Sequence, residues 1–136
     1  MIPVGRILEK EDQLFADGDF DAVERLLSYW IAEAKQTEDL IGAYHMYNEQ
    51  MGLYRKIGKK EEAYTAVERG LALLPRLHYE DTVSGATGYL NAATVYKTFG
   101  ESEKALSFYK KTKVVYEALL EKTDSRLAGL YNNMAL

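Results

Sequence analysis

The sequence predicts an all-α fold built from repeated helix pairs, a solenoid rather than one globular core. Three observations predict it. Tyr47, Tyr89 and Tyr131 are spaced by 42 and 42, and the same shift superposes Tyr54 on Tyr96, Gly58 on Gly100, Ala63 on Ala105, Ala86 on Ala128, Asn91 on Asn133 and Ala93 on Ala135. With Glu61 on Glu103 and Leu77 on Leu119, the shift gives 10 identities in 52 aligned pairs. Average composition gives roughly three or four. A fixed period of this size marks stacked units, each too small to bury its apolar face alone. Second, only 2 Pro in 136 residues, with abundant Ala, Leu, Glu and Lys and few Val and Ile, favours helices over strands. Third, Gly, Pro and capping residues interrupt the apolar periodicity at helix-length intervals.

Each element has its own signals. Pro3 suits the first turn of a helix running to about Ala16, and Asp17, Gly18 and Asp19 break it. Val23, Leu26, Leu27, Trp30 and Ile31 recur at helical spacing and predict a second helix from about Phe20 to Lys35. Thr37 is read as the cap of a third, about Glu38 to Ile57, which Gly58 ends. The fourth, about Lys60 to Leu74, is expected to stop at Pro75, and residues 75 to 81 form the longest connector. A fifth helix runs from about Thr82 to Phe99 and ends at Gly100; a sixth covers about Ser102 to Glu121. Thr123 and Asp124 cap a seventh that begins near Ser125 and carries no stop signal. One repeat domain is therefore expected, with units at about 3–36, 37–80 and 81–123 and the first helix of a fourth at 124–136. The chain is expected to be a piece of a longer array.

Composition narrows the function. The net charge of −4 argues against a nucleic-acid partner, since such proteins carry a marked positive excess. No run approaches the ~20 apolar residues a membrane span needs, and the N-terminus has no apolar signal segment. A cytoplasmic, soluble protein is expected, and the absence of Cys fits a reducing compartment. His45 and His78 are far apart and lack metal-ligand spacing, so no metal is expected. Glu9, Glu11, Asp12, Asp17, Asp19 and Asp21 fit no EF-hand loop and read as a solvated face and turn. Lys104, Lys110, Lys111 and Lys113 sit among Glu residues on an outer face. No Ser-His-Asp set, HExxH or glycine-rich phosphate motif is present, so neither enzyme activity nor a cofactor is expected.

Most of the repeated residues have structural reasons. Ala63 and Ala105 let the second helix of a pair approach the first, and Gly58 and Gly100 end the first helix so that the chain reverses. Tyr47 and Tyr54, seven apart, lie on one helix face. Tyr89, Tyr96, Tyr109 and Tyr131 are likewise expected on core positions.

The series Tyr47, Tyr54, Gly58, Ala63, Gly70, Pro75, followed by Tyr89, Ala93, Tyr96, Gly100, Ala105, Tyr109, resembles the tetratricopeptide repeat. The 42-residue period, longer than the usual 34, together with the Asn in the first helix, resembles the kinesin-light-chain-type subgroup. The resemblance covers residues 37 to 136 well and is looser before them, where Trp30 occupies the place of Gly70. It implies a right-handed α-α superhelix of about three helix pairs plus a final helix, and a protein-interaction module that holds a peptide segment of a partner in a concave groove. The first helix of each pair lines that groove in the family.

By the resemblance, the groove positions are His45, Asn48, Gly52, Arg55 and Lys56, then Thr87, Leu90, Asn91, Thr94, Lys97 and Thr98, then Asn132, Asn133 and Leu136. Asn48, Arg55, Asn91, Thr94, Lys97, Asn132 and Asn133 are the candidate peptide-binding residues. Asn91 and Asn133 stand where the family uses an Asn amide to hold the backbone of an extended peptide; such an amide donates to a C=O and accepts from an N–H at once. Glu49 holds that place in the second unit, so any ladder is incomplete. Arg55, Lys56 and Lys97 favour an acidic peptide or a free carboxylate. The carboxylate clamp of chaperone-binding members is absent. Another reading is the peptide-sensing regulatory domain of a larger bacterial regulator, whose effector segment would lie outside this chain. Leu130, Met134 and Leu136 are expected to leave one side of the last helix open, which would allow a homodimer through the C-terminal helices.

Overall fold

The computed structural model describes residues 1–135. Among them seven α-helices follow one another without a strand: α1 Val4–Ala16, α2 Phe20–Gln36, α3 Leu40–Ile57, α4 Lys60–Leu77, α5 Val83–Thr98, α6 Ser102–Leu119 and α7 Ser125–Met134. The chain divides into two compact units, Met1–Leu73 and Leu74–Leu136.

In the first unit, α1, α2 and α3 pack around Ile7, Val23, Leu27, Ile31, Met46, Met51 and Leu53, all buried. Asp19 opens α2 by accepting from the Ala22 N–H at 3.1 Å. The start of α3 corrects the expectation that Thr37 caps it. The Thr37 hydroxyl instead donates back to the Glu33 carbonyl at 2.9 Å, Glu38 takes φ 56°, and Asp39 is the cap. The Asp39 carboxylate accepts from the Gly42 N–H at 2.9 Å and from the Ile2 N–H at 2.8 Å. A charged acceptor at a helix start is favoured by the dipole, and here it also satisfies a second buried donor.

Gly58 ends α3 in the left-handed region, φ 74°, with the Lys59 N–H closing on the Tyr54 carbonyl at 2.9 Å. Gly58→Ala is expected to cost about 1 kcal/mol, because a Cβ disfavours that conformation. Thermal melts should show a drop of a few degrees. Beside this turn, the Lys56 ammonium lies 5.7 Å from the Phe15 ring and 5.8 Å from the Phe20 ring, holding α3 to the α1–α2 corner. On α4, a Cβ at Gly70 would stand 2.9 Å from Met51 Cε and 3.1 Å from Tyr47 Cβ. The absence of a side chain at Gly70 lets α4 lie this close to α3.

The end of α4 departs from the expected stop at Leu74, since Pro75 lies inside the last turn. Proline removes its own N–H but leaves its carbonyl available. His78, at φ 57°, donates to the Pro75 carbonyl at 3.2 Å, and Tyr79 donates to the Leu74 carbonyl at 3.1 Å, so the turn still closes.

In the second unit, Thr82 caps α5: its hydroxyl accepts from the Gly85 N–H at 3.1 Å and donates to the Tyr79 carbonyl at 2.7 Å. The small residues Ala86, Ala92 and Ala93 are fully buried and let α6 lie close. Across that contact the Thr112 hydroxyl reaches the Ala86 carbonyl at 3.3 Å, and the Thr87 hydroxyl meets the Tyr116 hydroxyl at 2.7 Å. Leu127 and Leu130 bury α7 in the same core. Tyr131 is a correction: it was expected in the core, yet it is 43% exposed and its hydroxyl donates to Glu117. The equivalent Tyr89 stacks on Phe108 of the helix that follows it, at 6.0 Å. Tyr131 lies on the last described helix.

Candidate functional site

The candidate residues divide between the two units. In the first, all come from α3. Asn48 is half-buried, and its amide donates to the Tyr44 carbonyl at 3.0 Å, one turn back. His45, Arg55 and Lys56 are exposed; Glu49 and Gly52 are half-buried.

The second unit brings more of them together. Lys97 on α5 donates from its ammonium to the Asn133 backbone carbonyl on α7 at 2.7 Å. The bond ties the two helices that carry the repeated asparagines, Asn91 and Asn133, both half-buried. An ammonium has three donors, so two remain for other acceptors. The Thr94 hydroxyl turns back onto its own helix, at 2.8 Å from the Asn91 carbonyl and 3.2 Å from that of Leu90. Asn132 is exposed beside Asn133. Lys97, Asn133 and Met134 also border an open cavity with Ser102, Ala105, Leu106 and Tyr109 of α6. Leu136 lies outside the described residues. Of the other apolar residues expected to stay open on α7, Leu130 is fully buried and Met134 half-buried. The exposed side carries Ala128, Gly129, Tyr131 and Asn132 instead.

The lysines of α6 cover aromatic rings. Lys111 lies 5.4 Å from the Tyr89 ring and 5.1 Å from that of Phe108, and Lys104 lies 5.3 Å from Tyr96. Their stems shield apolar surface while the charges stay wet.

Glu11 is the residue that sequence reasoning missed. The acidic stretch around it reads as a solvated face, yet Glu11 is 2% exposed. Burial pushes its carboxyl up to about 9, helped by a hydrogen bond to Glu49 and by the charges of Glu49 and Asp12. The signal lay in the register: Glu11 continues the stripe of Ile7 and Leu14 at i, i+4 and i+7. Because its folded pKa lies above the unfolded value near 4.5, folding takes up a proton, and the stability it contributes below pH 4.5 is lost as pH rises towards 9. Glu11→Gln is neutral at every pH. Melting temperature followed from pH 5 to pH 9 should therefore fall less steeply in Glu11→Gln than in the parent.

Neither a family model nor a curated protein matches the sequence. Among solved structures, the chain is similar to the crystal structure of BtubC (BKLC) from P. vanneervenii, with a TM-score of 0.86, 24% identity and 96% of this chain covered. The match takes in 52% of that chain, so this sequence spans about half its length. Among the described residues, the seven helices, the 42-residue repeat and this likeness agree on the fold, a tetratricopeptide-like array of helix pairs.

Proposed function

We propose that this chain is a protein-interaction module, and that in its second unit α5 and α7 hold an extended segment of a partner protein through the amides of Asn91 and Asn133. The observation that carries this reading is the recurrence of the two asparagines at one repeat position, on helices joined by the Lys97 hydrogen bond at 2.7 Å. A side-chain amide serves a peptide backbone whatever its sequence, because it donates and accepts together. Lys97 and Asn132 add donors that suit an acidic or carboxylate-bearing segment. The fold supports the class of function, since helical-repeat proteins of this kind typically act as scaffolds without catalysis. Among the described residues, no group of three metal-ligating side chains is assembled, and no helix is long and apolar enough to cross a membrane.

The test is capture from host lysate with the chain as bait, beside an Asn91→Ala/Lys97→Ala/Asn133→Ala variant of matched helix content. Partners lost with the variant support the reading. Partners retained equally move the binding surface elsewhere.

A further inference from the structure

We infer that α1 and α3 of the first unit form a receptor for one cationic side chain, a guanidinium above all, with the carboxyls of Glu11 and Glu49 at its base. The inference uses other helices and the opposite charge from the α5–α7 reading, and it stands without it.

Four observations meet at this place. Glu11 is 2% exposed, and its Oε2 has no hydrogen-bond partner. Its carboxyl is hydrogen-bonded to that of Glu49, which is half-buried and so reaches solvent. One turn further along α3, at i+3 on the same face, Gly52 leaves a gap: a Cβ there would meet nothing within 4 Å. Finally, the shift of 42 sets Glu49 against Asn91 and Asn133, and Gly52 against Thr94. At these two positions α3 differs from α5, with a negative charge added at one and a side chain absent at the other.

A purely structural role leaves part of this unexplained. The contact with Glu49 leaves the buried Oε2 of Glu11 unpartnered, and that atom still bears the cost of lost hydration. A planar guanidinium offers parallel N–H donors at the spacing of carboxylate oxygens, reaches both acids at once and satisfies the orphaned atom. Glu11 keeps its proton, and the single negative charge of the pair is matched by the positive charge of the guanidinium. An ammonium fits less well, since it presents a point charge without the fork. The gap at Gly52 gives the entering side chain its way in beside Glu49.

The test titrates the full chain with N-acetyl-Gly-Arg-Gly-amide, followed by amide NMR, beside the same peptide carrying citrulline, which has arginine's shape without its charge. Saturable shifts at the Glu49 and Gly52 amides are expected with the arginine peptide. Citrulline, or Glu49→Gln in the protein, should weaken binding by about ten-fold, the effect of losing one charge-assisted bond. Gly52→Leu should block the site while the melting temperature stays at or above that of the parent, since leucine favours a helix more than glycine does. It separates loss of binding from loss of fold. Absence of saturation, equal binding of the citrulline peptide, or unchanged binding to Glu49→Gln or Gly52→Leu would each overturn the inference.

Discussion

Gly85→Ala is expected to lower the stability of the chain by about 3 kcal/mol or more, the largest effect of any single methyl group added to it. An alanine Cβ at this position would stand 1.9 Å from the Tyr79 carbonyl oxygen and 2.8 Å from its carbon. Both obstacles are backbone, so no rotamer change relieves the clash. The carbonyl is also held in place, by the Thr82 N–H at 3.0 Å and the Thr82 hydroxyl at 2.7 Å. Either the Thr82 cap opens or the start of α5 moves off the connector, and both expose buried residues such as Ala86. A melting temperature lower by roughly 10 °C is the expected reading for a domain of this length. Gly129→Ala is the control, since its Cβ would meet nothing within 4 Å. A Gly85→Ala protein that melts with the parent would show that the connector is not packed as described.

Asp39→Ala ranks second. One side chain, 8% exposed, caps α3 through Gly42 and also accepts from Ile2 at the N-terminus. Loss of a helix cap costs ~1 kcal/mol and a buried donor left unpaired ~1–3 more, so roughly 3 kcal/mol is expected from chemical denaturation. Hydrogen exchange should rise at Ile2 and at the first turn of α3 together. The same carboxylate sets an acid limit. Burial alone would raise its pKa, but the Gly42 and Ile2 N–H bonds together with the charges of the N-terminal amine and His45 outweigh burial, so it lies below the usual value. A depressed carboxylate contributes stability that is fully present above its unfolded pKa near 3.9 and lost as pH falls through the folded value. Glu11 acts with the opposite sign, so these two groups together favour stability near pH 4 to 5, more acid than the usual optimum. In Asp39→Ala the acid limb should flatten while the fall from pH 5 to pH 9 remains.

Much of the fold was legible because repeats report the same packing problem several times. Tyr47 and Tyr54, Ala63 and Ala105, and Gly58 and Gly100 recur because each pair solves one contact or one turn. What the sequence concealed was decided between distant residues. Thr37 and Asp39 both qualify as caps, and the choice of Asp39 involves a backbone donor 37 residues away. Pro75 signals a stop, yet the carbonyls around it find donors in His78 and Tyr79, and the helix runs to Leu77. Glu11 sits in an acidic stretch and gains its meaning only beside Glu49 on another helix. In the candidate site, the matching of Asn91 with Asn133 was visible in the repeat. That the Thr94 hydroxyl is spent on its own helix and that Lys97 reaches the Asn133 carbonyl are matters of rotamer, which no spacing encodes.

The central claim is that Asn91 and Asn133 hold the backbone of a bound segment. The measurement that tests it most directly is NMR of their side-chain amide groups, assigned by substitution, during titration with a peptide selected against the immobilised chain from a random library. The account predicts that both amide pairs shift with the same saturation curve, and that Asn91→Ala/Asn133→Ala weakens the peptide by at least about ten-fold, equivalent to two neutral hydrogen bonds. A selected peptide that binds the variant equally, with its shifts confined to α6 or to the exposed side of α7, would contradict the claim.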